Sequence, residues 1–93
     1  MSAITMDAIP ALAARTRLQV DQVTGEPVLL YPEGVLVLNE TARDVVEQCD
    51  GKQTVSAVIA ALASEYDASP DELALDVLEC LGQLLERNLV VLR

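Results

Sequence analysis

An α+β domain, three antiparallel strands followed by three helices, is what the sequence predicts, and three observations predict it. Polar and apolar residues alternate from Arg17 to Val23, two short apolar runs follow up to Leu38, and the period turns helical after Asn39. Two turn signals, Thr24-Gly25-Glu26-Pro27 and Pro32-Glu33-Gly34, divide the first part into short strands. Further on, Ser69-Pro70-Asp71-Glu72 reads as a helix start: Ser to cap, Pro at the first helical position, Glu at the third. Strands and helices segregated in this way build one layer of each.

In chain order, residues 1–15 are expected to be a flexible tail. Ala and Ile alternate there with polar residues, Pro10 interrupts them, and no cap precedes the run; a short amphipathic helix over Ala8 to Ala14 is the alternative. The ordered domain is expected over 16–93. Arg17 to Val23 alternates polar and apolar residues as a half-buried strand does. Val28 to Tyr31 is the second strand and Val35 to Leu38 the third, a meander with the second strand central. Asn39 caps the first helix, whose apolar positions are Ala42, Val45, Val46 and Cys49, and Asp50-Gly51 ends it. The second helix starts near Thr54 with the stripe Val55, Val58, Ile59, Leu62 and Tyr66. The third runs from Ser69 to about Arg87, and Leu89 to Leu92 form an extended tail or a fourth short strand.

Composition narrows the function. The chain has 93 residues, enough for one small core. It is 52% hydrophobic but only 2% aromatic, so the core must be Leu, Val, Ile and Ala. No apolar run reaches the ~18–20 residues of a membrane span. Met1 to Ala14 lack the basic start and long apolar run of a secretory signal, so a cytoplasmic, soluble protein is expected. Fifteen acidic against six basic residues give a net charge of −9, which repels phosphate backbones and argues against nucleic acid as partner. Acidity otherwise reads as solubility.

Catalytic signatures are missing. The chain has no His, and its two cysteines, Cys49 and Cys80, form no CxxC pair; both are placed in helices as small buried hydrophobes. There is no Gly-rich phosphate loop and no Ser-centred elbow. An acyl carrier needs a Ser in an Asp-Ser-Leu setting, and Ser56, Ser64 and Ser69 all lack it.

Two apolar surpluses remain. Val35 to Leu38 carries apolar side chains on both faces, of which the helices can cover one. In the third helix, Ala74, Val77, Leu78, Leu81, Leu84 and Leu85 make one stripe, which Leu73 and Cys80 widen on one flank and Leu75 on the other. Such a helix is either deeply buried or borders a groove against the third strand. An open strand beside an apolar groove suits β-augmentation, in which an added peptide strand gains main-chain hydrogen bonds from the edge and specificity from the pockets.

The segment Leu29-Leu30-Tyr31-Pro32-Glu33-Gly34, with Leu38-Asn39, Ala42 and Cys49-Asp50-Gly51 after it, resembles the PqqD family over about residues 17–92. The resemblance implies three strands and three helices that recognise precursor peptides in biosynthesis of the redox cofactor pyrroloquinoline quinone. It implies a partner peptide, PqqA, and a radical S-adenosylmethionine enzyme, PqqE, with no catalysis and no cofactor in the family protein itself. The peptide is expected along the third strand and third helix, at Val35, Leu36, Val37, Leu38, Leu73, Val77, Cys80 and Leu84. Glu33, Asp44, Glu47 and Asp50 are candidates for docking the enzyme. Gly34 and Gly51 are expected to serve turns, Pro32 to stiffen one, Tyr31 to sit at the core rim, and the solvated Glu33 to be able to meet a partner. A monomer is expected, with dimers through the apolar edge at high concentration.

Helices packed on one face of a small sheet also resemble winged-helix domains, so a DNA-binding or transcription-regulatory role is the alternative. Its recognition helix would need basic and polar residues. The second helix has none that are basic, and the third only Arg87 at its end. With no His and no paired Cys, protein purified without added metal is expected to hold no stoichiometric zinc or iron; elemental analysis checks this.

Overall fold

The computed structural model describes residues 4–93. Its elements are β1 (Pro10–Leu12), β2 (Arg17–Val20), β3 (Pro27–Tyr31), β4 (Gly34–Val37), α1 (Glu40–Glu47), α2 (Val55–Tyr66), α3 (Pro70–Glu86) and β5 (Val90–Leu92). The expected meander is present as an antiparallel sheet in the order β2-β3-β4, and three helices follow it. The class is α+β, as the change of period indicates.

The first strand is shorter than its alternation. Asp21 ends it at Val20, because the Asp21 carboxylate accepts the backbone N–H of Val23 at 2.8 Å and offers the chain a turn instead of a ladder. Val23 is consequently 94% exposed. Leu18, Leu29 and Leu36 stand opposite one another across the three strands. Leu29 is fully buried, with Leu18 and Leu36 packed against the same core. Alternation then puts Arg17, Gln19, Leu30, Val35 and Val37 on the other face. The core side carries Val45, Val46, Val58, Leu62, Val77, Leu81 and Leu84 from the three helices.

Each helix starts where the sequence places its cap. Asn39 Oδ1 accepts from the N–H of Ala42 at 2.7 Å, Thr54 Oγ1 from Ala57 at 3.1 Å, and Ser69 Oγ from Glu72 at 3.2 Å. The ends are less regular. α1 stops at Glu47, so Cys49 lies beyond the helix rather than within it. Asp50 accounts for this: its carboxylate accepts from Lys52 and Gln53 and draws the chain into a turn.

The expectation of a flexible tail over residues 1–15 is corrected for the described part. Pro10–Leu12 is a strand, not a helix, and pairs antiparallel with β5 in the register Pro10↔Leu92, Ala11↔Val91, Leu12↔Val90. Pro10 and Ala11 are buried. Around them Gly51 donates to Pro10 O at 3.0 Å and Val55 to Ala8 O at 2.8 Å, so the segment is pinned to the α1–α2 connection as well. Gly51 has φ +75, and a Cβ there would sit 3.0 Å from Arg93 Nη1 and 3.3 Å from Ala11 Cβ. Only glycine meets both demands easily. Gly34, by contrast, has no positive φ, and a Cβ would make ordinary contact with Tyr31. Residues 1–3 of the expected tail lie outside the described residues. No helix among the described residues is long and apolar enough to cross a membrane.

One polar link crosses the helical layer. Asp44 is buried in α1; it accepts a hydrogen bond from the hydroxyl of Tyr66 at the end of α2 and pairs with Arg43 Nη2 at 3.2 Å. Tyr66 therefore closes its stripe through a hydroxyl rather than as a core ring. The bond to Asp44 pushes its phenol up to about 12, with burial adding to the effect. Tyr66→Phe strips the carboxylate of one donor, and a loss of about 1–2 kcal/mol in denaturant unfolding is expected. Between the ordinary tyrosine value of about 10 and about 12 the folded wild type holds the phenolic proton and the unfolded chain has lost it. This contribution is whole below pH about 10 and declines as the pH rises toward about 12, and the Phe variant is expected to lack that slope.

Candidate functional site

The hairpin from β3 to β4 decides which backbone groups are free. Tyr31 pairs with Gly34 across the two residues Pro32 and Glu33, and Leu38 N–H donates to Pro27 O at 2.9 Å. In an antiparallel ladder hydrogen-bonded and non-bonded pairs alternate. Gly34, Leu36 and Leu38 therefore bond to β3, while the N–H and C=O groups of Val35 and Val37 point out from the sheet. Strand β4 is the end of its sheet, so these groups have no ladder partner. The same residues expose their side chains, Val35 at 56% and Val37 at 58%.

Beside this edge lies a groove. One part, about 160 Å³, is lined by Leu36, Val37, Leu38, Cys80, Leu84 and Arg87, among others. A second part, about 330 Å³, shares Asn39, Ala42, Cys80 and Gln83 with it and continues past Thr41 to Asp76 and Glu79. The α3 positions 76, 79, 80, 83, 84 and 87 follow helical spacing and form one continuous face. The smaller part thus has an apolar floor of Leu36, Leu38, Cys80 and Leu84 beside the free strand edge, and the larger part is mainly polar. The groove contains no His, and no group of His, Cys, Asp and Glu residues among those described could hold a metal.

Of the residues expected to meet a peptide, Leu36, Val37, Leu38, Cys80 and Leu84 line this groove. Val35 lies on the same strand at the open edge. Val77 does not: it is fully buried in the core, because the centre of the apolar stripe of α3 packs inward. Leu73 is half-buried against the core and lies outside the lining. The groove uses the next face of the helix. An apolar filter passes over Asp76, Glu79, Gln83 and Arg87, although their i, i+3, i+4 and i+7 relation to Asp76 and Cys80 was available in the sequence.

Among the docking candidates, Asp44 is removed by its burial and its bonds to Tyr66 and Arg43. Glu33, Glu47 and Asp50 are exposed, Glu47 lying 3.8 Å from Arg43 and Asp50 accepting from its own turn. Those turn bonds, the one from Lys52 first, hold the Asp50 carboxyl below the ordinary range.

The family model for coenzyme PQQ synthesis protein D matches residues 26–90, which include the hairpin, the edge strand and all three helices. The chain belongs to the PqqD family. It is 39% identical over 90 residues to the PqqA binding protein of Xanthomonas campestris pv. campestris (strain B100), covering 97% of this chain and 98% of that one. The solution structure of the PqqD truncation of Methylobacterium extorquens PqqCD superposes with a TM-score of 0.82 at 32% identity, over 96% of this chain and 95% of that one. That truncation is described as a functional, stand-alone recognition element for ribosomally synthesized and post-translationally modified peptides. The crystal structure of PqqD from Xanthomonas campestris gives a TM-score of 0.56 at 38% identity, over 91% and 94% of the two chains. The structural likeness thus reaches beyond residues 26–90, to 96% of the chain in the first comparison and 91% in the second.

The two thiols of this PqqD chain differ in access. Cys49 is buried, and desolvation first, then Cys80 and Asp50, push it up to about 12. Cys80 is half-buried on the groove wall and is also raised, by burial and then by Glu79. A thiol reagent is expected to react slowly with Cys80 in the folded protein and with Cys49 only after unfolding. Mass analysis of partly modified protein checks the order.

Proposed function

We propose that this chain is a non-catalytic peptide chaperone that binds the precursor peptide PqqA by strand addition to β4 and presents it to the radical S-adenosylmethionine enzyme PqqE. The observation that carries the reading is the pair Val35 and Val37, whose backbone groups are unpaired in the sheet beside an apolar groove. A sheet edge left open next to such a groove gives an extended peptide both main-chain bonds and side-chain pockets. The names of the curated relatives support the choice of PqqA. Bound in this way, the peptide is held by its backbone and needs no reactive group from the chain. A ribosomally made peptide is met in the cytoplasm, which is where this reading puts the chain.

Presentation requires that the enzyme bind elsewhere. The exposed carboxylates Glu33, Glu47 and Asp50 support a second, acidic docking surface, and a monomer keeps β4 free for the peptide. A DNA-binding role has less support, since α2 carries no basic residue and Arg87 stands alone beyond the end of α3.

Proline substitution along β4 tests strand addition, because the ring removes one N–H at a time. Leu36→Pro loses a bond to β3 and is expected to unfold or severely destabilise the domain. Val35→Pro and Val37→Pro lose outward donors and should stay folded by circular dichroism. Each is expected to weaken PqqA about three- to tenfold, the effect of one bond worth roughly 0.5–1.5 kcal/mol. Wild-type affinity in both folded variants rules out addition at this edge.

A further inference from the structure

The groove beside β4 is charged oppositely at its two ends. The chain from β4 into the start of α1 runs in the opposite direction to α3: Leu36 and Val37 share a wall section with Arg87, whereas Asn39 and Thr41, at the start of α1, share one with Asp76 and Glu79. All three charged residues are exposed, and among the described residues none has an ion-pair partner. Between them the lining is Ala42, Cys80, Gln83 and Leu84, which carries no charge. An acidic mouth and a single cation thus bracket an uncharged stretch.

The geometry points to a reading of charge and direction: the groove selects an extended peptide with a cationic side chain four residues N-terminal to an anionic one. This inference rests on the peptide-binding reading of β4 and adds its specificity. The spacing follows from the helix. Glu79 to Arg87 spans roughly 12 Å at 1.5 Å per residue, and Asp76 to Arg87 roughly 16 Å. An extended strand covers those distances in about four to five residues at ~3.3 Å each. Only an even separation puts both side chains on the strand face turned toward α3, so four is selected over five. The order follows from the sheet, which is antiparallel throughout; antiparallel pairs are also the slightly more stable per residue. β4 runs toward the acidic mouth, so an antiparallel peptide enters there with its N-terminal part and leaves past Arg87. The cation therefore comes first in the peptide.

General attraction of a −9 protein for any basic peptide has to be separated from this pairing. Double-mutant cycles do so. PqqA and a set of its single variants, each with one Lys, Arg, Asp or Glu neutralised, are titrated against wild type, Asp76→Asn/Glu79→Gln, Arg87→Gln and a control, Asp7→Asn. Asp7 is an exposed carboxylate in the segment bonded to the start of α2, and it lines neither part of the groove. One peptide cation is expected to couple to Asp76/Glu79 and one anion four residues after it to Arg87, each by about two- to fivefold, as exposed pairs do. Asp7→Asn is expected to couple to neither. Absence of either coupling, an effect of Asp76→Asn/Glu79→Gln that Asp7→Asn reproduces for each charge removed, coupled residues at another spacing, or an anion N-terminal to the cation overturns the inference while leaving strand addition intact. Failure of PqqA to bind the wild type, or binding indifferent to Val35→Pro and Val37→Pro, overturns the peptide-binding reading itself.

Discussion

The two-residue turn at Pro32 and Glu33 sets the register on which the functional geometry depends. It fixes Tyr31 opposite Gly34, and every later pair in the hairpin follows from that. The same register sends Leu36 toward the core and the backbone groups of Val35 and Val37 away from the sheet. A slip of one residue would exchange these roles, pushing Leu36 into solvent and closing the free donors onto β3. Core packing and the open edge are therefore two results of one constraint. Burial of Leu29 and Leu36 resists the slip, so the hydrophobic core protects the availability of the edge.

Much of this fold was legible because its signals are local. Asn39 and Ser69 cap their helices as read, and Thr54 caps the helix read as starting near it, since a short polar side chain at the right offset acts within one turn. Strand β1 was not legible. Pro10-Ala11-Leu12 is too short to show a period, and its partner Val90 to Leu92 lies at the other end of the sequence. What makes it a strand is a non-local pairing, reinforced by the glycine turn at Gly51. The groove lies between these cases. Its strand wall and Cys80 carry the apolar surplus visible in the sequence, whereas Leu84 belongs to the core stripe and reaches the groove from there. Val77, from the same stripe, is fully buried, since the core claims the centre of a stripe. Which N–H groups of β4 face outward became clear only with the bond from Leu38 to Pro27, because alternation gives a pattern without its phase.

Helix α3 divides its surface between two tasks. Val77 and Leu81 fill the core from one face, while the adjoining face borders the groove beside β4. Because that second face mixes Cys80 and Leu84 with Gln83, Arg87, Asp76 and Glu79, it is poorly suited to burial against the sheet. A helix with two different faces keeps a neighbour at the edge without closing over it. The family relation agrees with this division, since the matched region 26–90 contains the hairpin and α3 together.

The pairing of β1 with β5 also governs how such a domain can be joined to other chains. Ile9 and Arg93 exchange backbone hydrogen bonds of 3.1 and 2.9 Å, so β5 ends beside the start of β1. Residues 4–8 then run on to the start of α2, where Ser56 donates to Met6 O. Both ends of the described fold are thus tied down outside the β4 hairpin and α3, and a linker joined at either leaves that hairpin and helix covalently unaltered. One such module can in this way be carried at the end of a larger chain or on its own.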